Sequence, residues 1–477
     1  MYAAMDKGSK DIVSNRWSDV LVSTPHSVAT PTSTKDIIAT IEYANKHKLK
    51  IIPAGGGRGS FVPITQDVMY LDLKNFSSFE LDKEKGEVRI GGGCVSGPML
   101  KGLAEQGFYT AMPNSNGVGM TGALFGGLNH PLVGIHGMGI DMVKSFTIIP
   151  FSSSDDGPLR PITVSNASTG EERKLFDVLR GAGHGFGVII STILEAHPIA
   201  SLSLNNGDKV WQRTLVFPPP SLQTAVDTYL SLQSQVPPEM NFFLGFMRSP
   251  PTAPRPGVPI ILLSTSFFGP SSAAEAATAL TFSPAVLAST VTATTVMTPF
   301  GDINNALDPA NAPGGFKQLH GAMLHTVSAS SLTRAFEAYI SLTGTHPSLS
   351  APACSILFPT CNTTVSSTPS TSSIPRSNFY NPRDRGVYAQ IKTAFHSTEG
   401  KREADAFAKE VFDIVREEDR SARRRDWAFA NNLVGGMEVG DVYTEEQIED
   451  VERVASVWDE RGVGWRPAQQ GWSSVGD

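Results

Sequence analysis

The chain of 477 residues is long enough for two domains, and its 40% hydrophobic and 18% charged residues are typical of a globular protein. The formal net charge of -7 and the pI of about 5.8 argue against nucleic acid as a partner, because phosphate binding needs a basic surface. No apolar run approaches the roughly 20 residues of a membrane helix, and the N-terminus "MYAAMDKGSK" lacks the apolar core of a secretory signal, so we expect a cytoplasmic protein that binds no membrane.

The first 200 residues alternate between predicted helices and strands. The segment "STKDIIATIEYANKHK" has apolar residues at helical spacing, and Ser33 with Asp36 makes a capping-box pair at its start. Short strands follow in "LKIIPA", "VMYLDL" and "GEVRIGGG". Two further helices, "PMLKGLAEQG" and "ERKLFDVLRG", end at Gly107 and Gly181, and "FGVIISTILEAHP" is a β-branched strand. This mixture predicts an α+β or α/β domain.

The composition changes near residue 205. From there to about 375 the chain is rich in Pro, Ser, Thr and Ala, with a turn-rich loop "RSPPTAPRPGVP" and a low-complexity surface segment "TTVSSTPSTSSIP". Strand runs such as "IILLSTSFF" and helical patterns such as "SSLTRAFEAYISL" and "EADAFAKEVFDIVREE" lie among these segments or after them. They predict a second domain, a sheet backed by helices. A last helix, "TEEQIEDVERVASVW", opens with the capping-box pair Thr444 and Gln447.

Three glycine-rich loops carry the most information: "AGGGRGS" at 54–60, "PNSNGVGMTGALFGG" at 113–127 and "RGAGHGFGV" at 180–188. The first loop follows a strand, and its bare amides suit a nest for phosphate oxygens, with a tight turn that binds nothing as the alternative. None of the loops is the G-x-G-x-x-G of a nicotinamide-binding fold, and no Walker A lysine follows. Ordinary nicotinamide and ATP folds are therefore disfavoured.

Other catalytic patterns are missing from the sequence. It contains neither H-E-x-x-H nor G-x-S-x-G. His130, His136 and His184 lie in the glycine-rich region, where each is more often structural than catalytic, and Asp141 is expected to accept hydrogen bonds in a structural role.

Cysteine usage fits a reducing compartment. Cys94, Cys354 and Cys361 are too few for a disulfide framework, and no Cys/His pairing has zinc spacing. We expect no metal site.

Taken in order, these segments resemble one family. "RWSDVLVSTPHSVATPTSTKDIIATIEYANKHKLKIIPAGGGRGS" is similar to the opening of the FAD-linked oxidases of the vanillyl-alcohol oxidase type, in the berberine-bridge-enzyme-like branch that includes many fungal secondary-metabolism enzymes. "NSNGVGMTGALFGGLNHPLVGIHGMGIDMVKSFTII" and "LFDVLRGAGHGFGVIISTILEAHP" resemble that family's second and third flavin loops, and "FANNLVGG" with "VERVASVWDERGVGWRP" resembles its closing segment.

The resemblance implies an α+β fold: a two-part FAD-binding domain of the vanillyl-alcohol oxidase type with an inserted substrate domain, an antiparallel sheet backed by helices. It implies that the first part of the FAD-binding domain spans 1–204 and the substrate domain spans 205–418. The segment 419–477 would return to the FAD-binding domain.

The resemblance also implies which residues hold FAD. Many family members bond the flavin covalently through a histidine after the first glycines and a cysteine in the second loop. Here these positions are Arg58 and Ser115, which cannot form such bonds, so we expect non-covalent FAD. The expected cofactor-binding residues are Gly55, Gly56, Gly57, Arg58, Gly59, Ser60, Asn114, Ser115, Gly119, Met120, Thr121, Gly127, Val188 and Asn431.

For catalysis, the resemblance implies hydride transfer from a small organic substrate, such as a secondary metabolite, to FAD. Tyr380 and Asp384, in "NFYNPRDRG", match a strand on the substrate side and are the candidate bases, while Asn431 is expected to face the flavin ring. The family's closing Tyr-x-Asn reads Phe429-Ala430-Asn431, so a phenol is missing there. A non-redox cyclase or isomerase (Diels-Alderase-like) on the same scaffold stays open as an alternative, as does an inactive flavin or ligand carrier.

Overall fold

The computed structural model describes residue 13 and residues 15–153, 157–204, 207–279, 281–346, 354–370, 374–434 and 437–467. The described strands are β1 (Ser27–Ala29), β2 (Lys50–Ala54), β3 (Val68–Asp72), β4 (Phe79–Asp82), β5 (Glu87–Gly91), β6 (Phe108–Tyr109), β7 (Val143–Pro150), β8 (Ile162–Ser165), β9 (Gly187–Glu195), β10 (His197–Pro198), β11 (Lys209–Phe217), β12 (Met240–Arg248), β13 (Pro259–Phe267), β14 (Thr292–Pro299), β15 (Phe316–Leu324), β16 (Ser355–Cys361), β17 (Val387–Phe395) and β18 (Trp427–Ala428).

The described α-helices are α1 (Thr34–His47), α2 (Ser96–Ala104), α3 (Met120–Phe125), α4 (Val133–His136), α5 (Gly170–Ala182), α6 (Leu222–Gln233), α7 (Ser271–Thr278), α8 (Pro284–Ala288), α9 (Ala329–Thr345), α10 (Thr364–Ser367), α11 (Thr398–Val415), α12 (Glu417–Ser421) and α13 (Glu445–Trp458). Two short 3-10 turns, Phe300–Asp302 and Asn305–Asn311, lie between β14 and β15. None of the helices in the described ranges is both long and apolar enough to cross a bilayer.

A three-stranded parallel sheet opens the fold, with strand order β1-β3-β2. Helix α1 joins β1 to β2, and it begins at the predicted capping box: the Asp36 amide donates to Ser33 Oγ and the Ser33 amide donates to Asp36 Oδ2. Ile37 and Ile41 are buried under the sheet with Ala44. Strand β2 then delivers the chain directly into the first glycine-rich loop.

A five-stranded antiparallel sheet follows, with order β4-β5-β9-β7-β8. Helix α2 lies beside it, and the chain reverses after this helix at Gly107, whose φ of +78° suits glycine. Helix α5 loses helical geometry at Arg180 and Gly181, where the φ of Gly181 is +128°. The glycine therefore ends the regular helix where the sequence predicts and starts the third glycine-rich loop.

The central part of the chain forms an eight-stranded antiparallel sheet, with order β14-β11-β13-β12-β16-β17-β15-β18. Helices α6, α9 and α11 cover one face and share a hydrophobic core with it. Met323 and Tyr388, on the other face, belong instead to the core of the five-stranded sheet. The face of the large sheet that carries no helices thus packs toward the second glycine-rich loop.

The last described residues return to the start of the fold. Trp427 still pairs with the large sheet, but helix α13 packs against α5, and Ile51 forms a parallel bridge with Gly464. The Lys50 ammonium also donates to the Gly462 carbonyl at 2.5 Å. The boundaries at 204 and 418 stay predictions.

Candidate functional site

In the first glycine-rich loop, residues 54–60, three consecutive carbonyl oxygens accept hydrogen bonds, while four consecutive amides donate to none of the described residues. The carbonyls of Gly57, Arg58 and Gly59 accept bonds from Trp17 N, Ser60 N and the Arg16 guanidinium. The amides of residues 56–59 donate to no acceptor in the described part of the chain. Consecutive free amides make a concave site for an anion.

The glycines of this loop are required by a close approach to the second loop, residues 113–127. A Cβ on Gly56 would lie 2.3 Å from Gly119 N and 2.4 Å from Gly117 O. Gly57 has room for a methyl group, but its φ of +63° favours glycine. Backbone therefore packs on backbone where the two loops meet.

Arg58 joins this junction to the large sheet. Its Nε donates to Gly117 O at 3.1 Å, and its Nη1 donates to Asn311 O at 2.5 Å, in the segment between β14 and β15. Burial lowers the pKa of the guanidinium, and Asp308 opposes that shift without forming an ion pair. Within the described residues, Arg58 has no carboxylate within ion-pair distance, so its buried charge has only carbonyl oxygens as direct partners.

The same segment holds the second loop. The Asn304 amide donates to Pro113 O at 2.9 Å, and Asn116 Nδ2 donates to Asn305 Oδ1 and Asp308 Oδ2 at 2.9 and 3.0 Å. We call residues 300–315 the strap, because they cross from the large sheet over both loops.

The predicted cofactor residues of the second and third loops occupy different environments. Ser115 is buried, and its hydroxyl has no partner among the described residues. Thr121 Oγ1 donates to Gly92 O at 3.1 Å, and Met120 is fully buried. Asn114 is exposed, whereas the Val188 side chain is buried in the core of the three-stranded sheet.

These features fit the diphosphate of a dinucleotide. The free amides of residues 56–59 and the uncompensated Arg58 charge suit phosphate oxygens. The orphaned Ser115 hydroxyl supplies one more polar group nearby. Their role in binding FAD stays a prediction. The contact of Arg58 with Asn311, 253 residues away in the chain, has no signal in the sequence.

Tyr380 and Asn431 meet the second loop at its last two glycines. Asn431 Nδ2 donates to Ala123 O at 2.9 Å, and a Cβ on Gly126 would collide with the Asn431 amide. Gly127 has a φ of +108°, and its missing side chain leaves room for the Tyr380 ring, whose Cδ2 lies 2.6 Å from the ideal Cβ position. Asn431 and Tyr380 are therefore neighbours, although 51 positions separate them in sequence.

Tyr380 lines a small cavity of about 10 Å³, room for about one water molecule, between the second loop and the large sheet. The residue is 5% exposed, and its Oη has no hydrogen-bond partner among the described residues. Burial raises the pKa of this phenol. Tyr380 therefore stays protonated at neutral pH and offers an unused hydrogen-bond donor.

A second phenol, Tyr388, lines the same cavity and was not among the residues predicted from the sequence. Its hydroxyl accepts a hydrogen bond from Asn432 and contacts the Gln390 side chain, and its ring packs on Phe429 at 4.8 Å between centroids. Burial raises its pKa while both amide side chains oppose the shift. The alternation in "VYAQIKTAF" was the available signal, since it puts Tyr388 and Gln390 on one face of a strand.

Asp384 lies outside this group. Its side chain is 57% exposed, and its Oδ1 is 3.3 Å from Arg385 Nε. Its carboxylate is not among the groups that line the cavity. The structure thus brings Tyr380 and Asn431 together and leaves Asp384 at the surface.

Asp141 has the structural role that the sequence suggests. It is 4% exposed and accepts both Nη atoms of Arg383, at 2.7 and 2.9 Å, together with Arg376 at 3.2 Å and the Ser377 amide at 3.1 Å. These bonds fix the segment that leads into Tyr380.

The histidines of the glycine-rich region are packed in the interior. His130 Nε2 lies 2.8 Å from Gly137 O, and His136 lies 2.9 Å from the Tyr109 hydroxyl. Burial lowers the pKa of His130 and His184 to about 4 and that of His136 to about 3. All three are therefore neutral at physiological pH.

A second small cavity, of about 10 Å³, lies at the third loop and is bounded by His184, Tyr443, Val451 and Arg466. The Tyr443 hydroxyl donates to Gly181 O at 2.7 Å, so its proton is engaged. No cluster of metal-ligating side chains exists in the described ranges.

Comparison with known proteins gives this arrangement a family. Residues 25–150 match the family described as "FAD binding domain". The FAD-linked oxidoreductase hasG of Aspergillus fumigatus is 27% identical over 335 residues, which cover 70% of this chain and 67% of hasG. The FAD-linked oxidoreductase OXR1 of Pyricularia oryzae is 29% identical over 48% of this chain and 42% of OXR1, so the chain spans less than half of that relative.

Solved structures share the fold at low sequence identity. BBE-like 1 of Physcomitrella patens superposes with a TM-score of 0.77 at 14% identity, covering 100% of this chain and 97% of the other. Glucooligosaccharide oxidase of Acremonium strictum, described with 6-S-cysteinyl, 8α-N1-histidyl FAD, gives 0.78 at 15% identity, with 100% and 98% covered. The chain is therefore similar to fungal FAD-linked oxidoreductases, its residues 25–150 match an FAD-binding domain, and it has the α+β fold of berberine-bridge-enzyme-like flavoproteins of the vanillyl-alcohol oxidase type.

Proposed function

We propose that this chain holds FAD non-covalently and oxidises a small organic molecule, such as a secondary metabolite, bound beside Tyr380. The observation that carries the proposal is the buried, unpartnered hydroxyl of Tyr380, whose ring packs against Gly127 of the second glycine-rich loop. A buried donor without a partner is costly unless a ligand completes it.

The chain's own residues would hold the cofactor by charge and by backbone. The amides of residues 56–59 and the Arg58 guanidinium would bind the diphosphate, and the Ser115 hydroxyl would donate to it or to the flavin. Arg58 and Ser115 stand where the resemblance puts histidine and cysteine, and neither forms a bond to the flavin ring. FAD would supply the hydride acceptor when bound.

Tyr380 would orient the substrate. Because its pKa is raised, it keeps its proton and donates a hydrogen bond to a substrate oxygen. Met138 and Met323 line the same cavity and exclude water around that bond. We propose Asn431 as the residue that fixes the second loop against this site through Ala123 O.

The absorbance spectrum of the purified protein tests the proposal. We expect a yellow protein whose flavin is released completely by acid precipitation, and whose flavin band bleaches when the substrate is added without oxygen. A colourless protein that also fails to bind added FAD would remove the cofactor. A product of the same mass as the substrate, formed while the flavin stays oxidised, would identify the cyclase or isomerase alternative.

A further inference from the structure

We propose that the large sheet carries a binding site for the carboxylate of a small organic anion, formed by Lys317 and Lys392 beside the first glycine-rich loop. The two lysines lie on the face of the sheet that carries no helices, where they meet an indole ring and a third cation. The site goes beyond the proposed function, because it takes a ligand other than FAD.

The two lysines are neighbours on one face of the large sheet. Leu319 on β15 pairs directly with Lys392 on β17, so Lys317 is the diagonal neighbour of Lys392. Side chains two positions apart on a strand point to the same face, and diagonal neighbours lie within reach of each other when the side chains are long. Lys392 is four positions from Tyr388 on β17, and both lysines therefore lie on the face that carries no helices.

The indole of Trp17 lies against both ammonium groups. Lys317 Nζ is 5.0 Å from the centroid of the ring, and Lys392 Nζ is 5.9 Å from it. The Trp17 amide donates to the Gly57 carbonyl at 3.1 Å, which ties this residue to the first glycine-rich loop. A cation–π contact attracts an ammonium without neutralising its charge. The ring therefore gathers two positive charges and leaves both in place.

Positive charge accumulates here without a matching carboxylate. Burial, together with the positive charges of Lys392 and Arg58, lowers the pKa of Lys317 to about 8, and Asp19 opposes this shift. Among the described residues, Lys317 has no carboxylate within ion-pair distance, and its Nζ donates to the Ala312 carbonyl at 2.6 Å. Like charges placed side by side are unfavourable, and an anion bound between them removes that cost.

A carboxylate attached to a hydrocarbon group suits this surface. An ammonium has three donors, and the bond to Ala312 uses one of those of Lys317, so donors remain for an anion. Leu319, directly opposite Lys392, and Leu357 on the neighbouring β16 are half-buried on the same face. Their exposed surface suits an aryl or alkyl group next to the carboxylate. An amine of the same shape would meet only like charge here.

Trace acetylation of lysines at pH 8 tests the site directly. The full chain is treated with the N-hydroxysuccinimide ester of acetic acid, with and without 2-naphthoate, and mass spectrometry reads the extent at each lysine. A bound carboxylate favours the protonated ammonium. We therefore expect acetylation of Lys317 to fall by roughly 5-fold, the effect of a tenfold change in proton affinity at this pH. Lys46, exposed on α1, should not change, and an equally unchanged Lys317 would overturn the inference.

The uncharged analogue 2-naphthamide has the same shape and tests the role of charge by calorimetry. We expect the carboxylate to bind more tightly by roughly 5- to 13-fold, because a half-buried site lies between an exposed ion pair and a buried charge-assisted hydrogen bond. Lys317→Gln should remove most of this preference, whereas Lys317→Arg and the control Lys46→Gln should keep it. Equal affinities of the native protein for the two probes, or the native preference in Lys317→Gln, would contradict the proposal.

The same measurements with saturating FAD separate this site from the cofactor site. We expect 2-naphthoate to bind whether FAD is present or absent. Competition between 2-naphthoate and FAD would show that these lysines hold a phosphate of the cofactor, and it would overturn the inference. A protein that binds no FAD would instead count against the proposed function, and the result for Lys317 would stand.

Discussion

Arg58 places a positive charge where the first and second glycine-rich loops meet. Among the described residues, its guanidinium forms hydrogen bonds only to carbonyl oxygens. Its bonds to Gly117 O and Asn311 O hold the side chain in one orientation, and we propose that a phosphate of FAD binds it there. The sequence predicts its cofactor role from the neighbouring glycines. It does not reveal that the same side chain also binds the strap.

We predict that Arg58→Ala weakens FAD binding by roughly 10- to 150-fold, because a hydrogen bond to a charged group contributes about 1.5–3 kcal/mol. Fluorescence titration of FAD into the apoprotein measures the effect. The FAD affinity of Arg58→Lys should lie between those of the native protein and Arg58→Ala, because an ammonium keeps the charge but lacks the planar guanidinium that reaches both carbonyls. Lys46→Ala, which removes an exposed charge on α1, is the control, and an Arg58→Ala affinity equal to that of the control would contradict the prediction.

His184 couples stability to pH. Its ring packs edge-on against Phe61, Phe125 and Trp465, and burial lowers its pKa to about 4 from 6.5. As the pH falls below 6.5, the unfolded chain takes up a proton here and the folded chain does not until about pH 4. Stability is therefore lost as the pH falls through this window, by on the order of 1 kcal/mol per pH unit from this residue.

We predict that His184→Phe loses less stability between pH 7 and pH 5 than the native protein, by about 2 kcal/mol. Urea unfolding at the two pH values measures the difference. The dependence should become shallower without vanishing, because His130 and His320 shift in the same direction. Identical pH dependence in the variant and the native protein would show that His184 titrates normally in the fold.

At the scale of elements, the first and second glycine-rich loops pack directly against each other. Gly56 and Gly119 pack backbone against backbone, and Arg58 Nε of the first loop donates to Gly117 O of the second. Such contact leaves no space for a methyl group. Loop 1 is thus held in shape by loop 2 as well as by its own sequence.

We predict that Gly56→Ala separates the loops and abolishes FAD binding, with a lower melting temperature. Its Cβ would lie 2.3 Å from Gly119 N, which is backbone and cannot rotate away. Gly122→Ala is the matched control, because a Cβ there meets nothing within 4 Å and alanine favours its helix. Thermal unfolding with and without FAD compares them, and normal binding in Gly56→Ala would refute the packing argument.

The elements themselves were largely predictable from sequence. The capping boxes of α1 and α13 can be recognised from four consecutive residues. Gly107 and Gly181 predict where a helix ends, because each adopts a positive φ that favours glycine. The contacts that make the site are not local. Asn311 reaches Arg58, and Asp419 binds Arg385, only after the sheets have packed, and no short sequence pattern encodes those pairings.

The whole molecule is closed by its last described segment. Arg466 is 2% exposed and donates to Gly185 O at 2.7 Å in the third loop and to Asp459 Oδ2 at 2.5 Å. Asp459 also accepts the amides of Val463 and Gly464. This buried ion pair holds the last described residues against the third glycine-rich loop.

We predict that Arg466→Met destabilises the protein by about 3–5 kcal/mol, because it leaves the Asp459 charge buried without its partner. Adding Asp459→Asn should recover part of the loss, since the amide still accepts the backbone bonds without a charge. Chemical unfolding of the single and double variants measures both steps. A double variant less stable than Arg466→Met would show that the ion pair is not what the segment depends on.

The bond from Lys50 to Gly462 has a consequence for synthesis. The two residues are 412 positions apart, and a ribosome adding about 5–20 residues per second needs roughly 20–80 s to make that stretch. During this time the edge of the first sheet at β2, beside the first glycine-rich loop, lacks the residue that pairs with it, Gly464. The β2 edge of the nascent chain is thus open to chaperones and proteases until residue 464 has been synthesised, long after the strand itself has left the ribosome.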